Sequence, residues 1–130
     1  MLLADDDRDL IGLWRTQMRD APFECEFARH GGEALEMYRQ AKAEGRPFDL
    51  LVLDQLMPVH VGTVVGRMIR EEERDRETPL WLLTGSRDND LLREADTFGF
   101  SRVMLKGGRE EVNLKRSIAA ELGLNVAVAA

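Results

Sequence analysis

Asp49-Leu50-Leu51-Val52-Leu53-Asp54 is the stretch that decides the fold. Its four consecutive aliphatic residues lack the apolar–polar alternation of a strand with one wet face. A near-continuous apolar run that ends in a carboxylate is what a central parallel strand, buried on both faces, requires. Such a strand needs neighbours on both edges and helices over both faces.

The sequence on either side supplies them. Upstream, Leu2 to Ala4 reads as a strand, and Asp7 to Arg19 as a helix with Leu10, Ile11, Trp14 and Met18 at helical spacing. Ala21-Pro22 ends that helix, Phe23 to Ala28 forms a second strand, and Gly31-Gly32 opens a second helix. That helix turns Leu35, Met37, Tyr38 and Ala41 inward, until Gly45-Arg46-Pro47 breaks it. Downstream, a third helix follows Gly62 with Val64, Val65, Met68 and Ile69 on one face, and Thr78-Pro79 leads into a strand over Leu80 to Thr84. A helix from Asp88 to Phe98, a strand from Arg102 to Leu105 and a helix from Glu110 to Leu122 complete the pattern. The last helix has Val112, Ile118, Ala119 and Leu122 as its inner stripe.

Five strand–helix units predict an α/β domain: a flavodoxin-like, doubly wound, five-stranded parallel sheet of order 2-1-3-4-5 with five helices. In that order the ligand crevice opens at the carboxyl ends of the strands, between the first and third. The expected domain is 1–124, with 125–130 as a C-terminal tail that carries no usable signal. The sequence leaves open whether this is a stand-alone unit or a piece of a longer chain.

Composition narrows the function. A length of 130 residues suits one domain, and 44% hydrophobic with 32% charged residues is globular rather than disordered. The net charge of −6 opposes direct binding to nucleic acid or to anionic membranes. One cysteine, Cys25, excludes an internal disulfide and reads as a reduced structural thiol. No apolar run approaches the roughly 20 residues of a membrane span. The opening Met-Leu-Leu-Ala is too short for a signal peptide, so the cytoplasm is the expected location.

At the carboxyl edge the polar residues converge. Asp5, Asp6 and Asp7 leave the first strand, Asp54 ends the third, Thr84 ends the fourth, and Lys106 follows the fifth. Clustered carboxylates repel one another unless they are protonated or bound to a cation. Magnesium takes carboxylate oxygens and shares phosphate oxygens with its ligand. Asp54 is placed to attack phosphorus and hold an aspartyl-phosphate, with Lys106 neutralising charge and Thr84 donating to an oxygen. Gly85 leaves room beside Thr84. Read blandly, the acidic run caps the first helix, a role expected of Asp7, while Thr84 is an ordinary strand threonine and Lys106 a solvated lysine. The convergence favours the cation site.

At these residues the chain resembles the response-regulator receiver family over essentially its whole length. The matching stretches are Leu2-Leu3-Ala4-Asp5-Asp6-Asp7, Leu51-Val52-Leu53-Asp54-Gln55-Leu56-Met57-Pro58, Leu82-Leu83-Thr84-Gly85 and Met104-Leu105-Lys106. The resemblance implies Mg2+ on Asp5, Asp6, Asp54 and the backbone carbonyl of Leu56, with Asp6 closer to the ion than Asp5. It implies Asp54 as phosphoacceptor, Thr84 as the switch hydroxyl and Lys106 as the phosphate-binding cation. The donor would be a histidine kinase or phosphotransfer protein. The output would be a downstream protein meeting the face of the fourth helix, fifth strand and fifth helix. A domain of this kind catalyses only its own phosphorylation and dephosphorylation, so it is not a conventional enzyme.

The chain departs from that pattern in places. Gly107 stands where proline usually follows the lysine, so the Lys106–Gly107 bond is expected to be trans, with Gly107-Gly108 supplying the unusual dihedrals. Val103 replaces the usual aromatic, Val61 an aspartate, and Ser101 and Arg102 the acidic residues of many dimerising relatives, so that dimer is not carried over. Val103 and Gly107 give some weight to a pseudo-receiver that only docks, against which the intact Asp5, Asp6, Asp54 and Lys106 stand. A phosphohydrolase is disfavoured because Leu56 holds the place of a general acid. Met57-Pro58 is expected to shape a turn, His30 and His60 to lie in solvent, Trp14 and Trp81 to pack, and Arg70 to Glu77 to be a solvated helix end with internal ion pairs.

Overall fold

The computed structural model describes residues 1–86 and 88–124. Its elements are β1 (Leu2–Ala4), α1 (Arg8–Gln17), β2 (Glu26–Ala28), α2 (Gly31–Ala43), β3 (Leu51–Asp54), α3 (Gly62–Glu71), β4 (Leu80–Thr84), α4 (Asn89–Thr97), β5 (Phe100–Leu105), α5 (Arg109–Val112) and α6 (Leu114–Glu121). The five strands form one parallel sheet in the order β2-β1-β3-β4-β5, as the alternating pattern requires. The expected tail, 125–130, lies outside the described residues.

Side chains alternate across a strand, so each strand feeds two half-cores. Leu2, Ala4, Leu51, Leu53, Leu80 and Leu82 pack with Ala34, Leu35, Tyr38, Val65, Ile69, Leu91 and Ala95 from α2, α3 and α4. Leu3, Val52, Trp81, Leu83 and Met104 pack on the other side with Ile11, Trp14, Leu114 and Ile118 from α1 and α6. Both tryptophans are buried packing residues. The Cys25 thiol is free and half-buried; its Sγ lies 3.0 Å from Met1 Sδ, and burial pushes its pKa up to about 12. No helix among the described residues is long and apolar enough to cross a membrane.

Several sequence expectations need correction. Among the described residues there are six helices, because the last one breaks at Asn113. The Asn113 carboxamide donates to the Arg109 carbonyl at 3.1 Å, the local capture that makes asparagine a poor interior helix residue. Val112 is 77% exposed, and Leu114, one turn before Ile118, takes the core position. Strand β2 begins at Glu26 rather than Phe23, since β1 offers it only three partners. Strand β5 begins at Phe100 because a bulge near Ser101, opposite Leu80 and Trp81, prolongs the pairing. His30 and His60 are half-buried rather than solvated, and His30 Nδ1 accepts the Glu33 amide at the start of α2.

The stretch from Arg70 to Glu77 is largely exposed, but its polar groups are tied to other elements rather than paired only with each other. The Arg70 guanidinium donates to the carbonyls of Asp75, Phe98 and Gly99, while Glu72 and Glu73 pair with Arg39 of α2. Asp75 gathers the Tyr38 hydroxyl at 2.6 Å, the Thr78 hydroxyl, and the amides of Glu77 and Thr78. Burial raises the Asp75 pKa, but the bonds from Thr78, Tyr38 and Glu77 prevail and hold it well below the usual carboxylate range.

Two predictions follow from this packing. Urea denaturation should show Leu114→Ala costing about 3 kcal/mol and Val112→Ala within about 0.5 kcal/mol of wild type; the reverse order would mean that Val112, not Leu114, faces the core. Because the Asp75 pKa is depressed in the folded state, its stabilisation is present above the ordinary value of 3.8 and fades as pH falls below it. Asp75→Asn should therefore cost about 2 kcal/mol at pH 7, with the gap to wild type closing towards pH 2.

Candidate functional site

Register assembles the site. Ala4 lies opposite Leu53, which sets Asp5 beside Asp54 on neighbouring strands, and Thr84 lies opposite Leu105, which sets Lys106 just beyond. The Asp5 amide continues the ladder to Ala28 O at 3.0 Å, the Gln55 amide to Leu83 O at 2.8 Å and the Lys106 amide to Thr84 O at 2.8 Å. Three strand ends are thus held rigidly where their side chains begin.

Asp5 and Asp54 are buried, at 0% and 3% exposure, while Asp6 is exposed. Each of the three offers a carboxylate oxygen within 4.8 Å of the others. Lys106 Nζ bridges the buried pair, 2.9 Å from Asp5 Oδ2 and 3.1 Å from Asp54 Oδ2. Among the described residues Asp5 Oδ2 has no other donor, while Asp5 Oδ1 accepts the Asp7 amide at 3.0 Å. Asp7 turns away and caps α1 through the amides of Asp9 and Leu10.

The electrostatics follow from crowding. Burial, then the charge of Asp5, pushes the Asp54 carboxyl up to about 6, against the opposing pull of Lys106. Burial lowers the Lys106 pKa, but its bonds to Asp5 and Asp54 outweigh that and leave it raised, so the ammonium stays charged. Three carboxylates set against one ammonium leave two formal negative charges around a small gap. A hard divalent cation fits that donor set.

The remaining expected residues sit less simply. The Thr84 side chain is buried, and its hydroxyl closes on its own loop: it donates to Ser86 O at 2.8 Å and accepts the Ser86 amide at 3.1 Å. The Leu56 side chain is 73% exposed, and no described hydrogen bond occupies its carbonyl. Val103 is half-buried and packs against the core cluster under α2, α3 and α4. The Lys106–Gly107 bond is trans as expected, and Gly107 takes a φ of +78°, which favours glycine. Gly108 is extended at φ −87°, so Gly107 alone supplies the unusual dihedral.

Sequence reading missed three contributors. Glu111 Oε2 accepts the Gly107 amide at 2.8 Å, tying down the segment that carries Lys106. Ser86 holds the Thr84 hydroxyl. Gln55, next to Asp54, bonds to Thr63 at the start of α3. None belongs to a periodic pattern, and each acts by a contact between a loop residue and the strand end or helix start next to it.

Comparison with known proteins agrees with this geometry. The family model described as the response regulator receiver domain matches residues 1–118. The transcriptional regulatory protein GltR of Pseudomonas aeruginosa is 32% identical over 88 residues, covering 68% of this chain and 34% of that protein. The chain therefore spans about a third of that curated relative's length. The chemotaxis protein CheY4 of Vibrio cholerae superposes with a TM-score of 0.72 at 28% identity, over 90% of this chain and 93% of that one. The signal receiver domain of a LuxO repressor protein from Vibrio parahaemolyticus shares the fold, with a TM-score of 0.77 at 24% identity over 94% and 88%.

Because the folded state raises the Asp54 pKa, the charged form opposes folding. In EDTA, the destabilisation due to Asp54 should be absent below about pH 4, grow as pH rises and level off above about 6. Asp54→Asn should abolish it and be the more stable protein by about 1–3 kcal/mol at pH 7, read by thermal or urea unfolding. A less stable variant would mean that the Lys106 pair outweighs the crowding.

Proposed function

Because the chain belongs to the response regulator receiver domain family, we propose that it accepts a phosphoryl group on Asp54 from a histidine kinase or phosphotransfer protein. The observation that carries this reading is the Lys106 ammonium held between Asp5 and Asp54 beside the exposed Asp6. Asp5, Asp6, Asp54 and the Leu56 carbonyl are the oxygens that would hold Mg2+. When bound, the ion supplies positive charge for the phosphoryl oxygens and for the carboxylates around them.

The chain's own residues do the rest. An Asp54 carboxylate oxygen forms the new P–O bond as the P–N bond to the donor imidazole breaks. The electron pair returns to that nitrogen, which takes up a proton. Lys106 exchanges its contact with the Asp54 carboxylate for one with a phosphoryl oxygen. Buried walls around Asp5 and Asp54 make each such contact stronger than it would be in water. Thr84 reaches a phosphoryl oxygen only by releasing Ser86, which couples phosphorylation to the loop after β4. A population shift there alters the face of α4, β5, α5 and α6, which a downstream protein would read. Val103 offers no aromatic ring to report the change, so the loop itself carries it. The domain acts catalytically on itself alone.

Acetyl phosphate with Mg2+ should give one labile adduct by intact mass. EDTA and Asp54→Asn should each abolish it, and Lys106→Ala should slow its formation by about a hundredfold. An adduct that survives Asp54→Asn, or none in the wild type, would refute the proposal.

A further inference from the structure

Helix α3 starts without a cap of its own. Its N-cap residue is Val61, whose aliphatic side chain accepts nothing, so the first amides must find partners elsewhere. Gln55 provides one from across the loop. Its Oε1 accepts the Thr63 amide at 2.9 Å, and its Nε2 donates to Thr63 Oγ1 at 3.2 Å. Its backbone is engaged as well: the amide donates to Leu83 O at 2.8 Å and the carbonyl accepts the Gly62 amide at 3.1 Å. Thr63 is fully buried.

This bolt joins both ends of one loop. Residue 55 follows Asp54, residue 63 lies in the first turn of α3, and Leu56 lies between them. The closure is tight: a Cβ on Gly62 would sit 2.6 Å from the Asp54 carbonyl oxygen. Inside the loop Val59 adopts a φ of +70°, which a β-branched residue accepts only when the surroundings impose it. The His60 amide donates to Pro58 O at 2.9 Å across it, a γ-turn. A loop holding such a conformation needs fixed ends.

We infer that Gln55 is a positioning residue for the cation: by clamping Thr63 it fixes the loop that carries Leu56, whose carbonyl the phosphoacceptor reading gives to the ion. The inference rests on the phosphoacceptor reading above and adds a residue to it. The Gln55 side chain bonds to Thr63 and lies outside the carboxylate set of Asp5, Asp6 and Asp54, so its loss should weaken ion binding while sparing the transfer step once the ion is bound.

The test is a titration of 15N-labelled protein with MgCl2, followed by amide shifts, for wild type, Gln55→Ala, Thr63→Val, Thr63→Ser and the double variant Gln55→Ala/Thr63→Val. Gln55→Ala should raise the Mg2+ dissociation constant about tenfold and speed hydrogen exchange at Thr63. Thr63→Val, which keeps the amide bond, should do less, and Thr63→Ser should behave as wild type. The double variant should lose no more than Gln55→Ala, since both changes break one contact. Phosphorylation by acetyl phosphate at saturating Mg2+ should stay within about twofold throughout. Wild-type Mg2+ affinity in Gln55→Ala, or a transfer rate at saturating Mg2+ that falls with its unfolding free energy, would overturn the assignment alone. A wild type that binds no Mg2+ overturns the parent reading and this one together.

Discussion

Two buried carboxylates share one ammonium. Asp5 and Asp54 stand on adjacent strands, out of solvent, with Lys106 between them at 2.9 and 3.1 Å. Without that cation the two charges would destabilise the centre of the sheet, and with it they remain undercompensated once Asp6 is counted. The strand order is what makes the arrangement possible. Only an order with β1 beside β3, and with β5 ending at the same edge, brings acids separated by nearly fifty residues to one amine.

The site is therefore unfavourable in isolation. Under the proposed function a divalent cation would offset the remaining charge, and a phosphoryl group would give Lys106 a new partner in place of Asp54. Burial and the charge of Asp5 raise the Asp54 pKa, and a bound cation would relieve that cost. Structural acids in this chain behave oppositely. Asp75, surrounded by hydroxyl and amide donors, is held below the usual carboxylate range and pins α2, α3 and the start of β4 together.

Around the site, loops lacking one device use another. Val61 cannot cap α3, and Gln55 caps it from the strand side. Gly107 leaves an amide proton free after Lys106, and Glu111 accepts it. In both cases a polar side chain a few residues away in sequence restores stiffness to the segment bearing a functional atom. The long-range order of the fold tolerates such exchanges because hydrogen-bonded strand ends hold the functional residues at their roots.

The fold and the meeting of Asp5, Asp54 and Lys106 were legible in the chain itself, because period and strand-end chemistry are local properties. The apolar run before Asp54 announces a central strand, and the alternation around it leaves few sheet orders. What tertiary structure decided were contacts between segments that no period links. The bulge that lengthens β5, the break at Asn113, the Thr84 hydroxyl turned onto Ser86, and the Gln55–Thr63 clamp are all of this kind. Pattern reading counts residues along one element, whereas a hydrogen bond from a loop to an element's end depends on where two elements end relative to each other. That distance exists only once the sheet has formed.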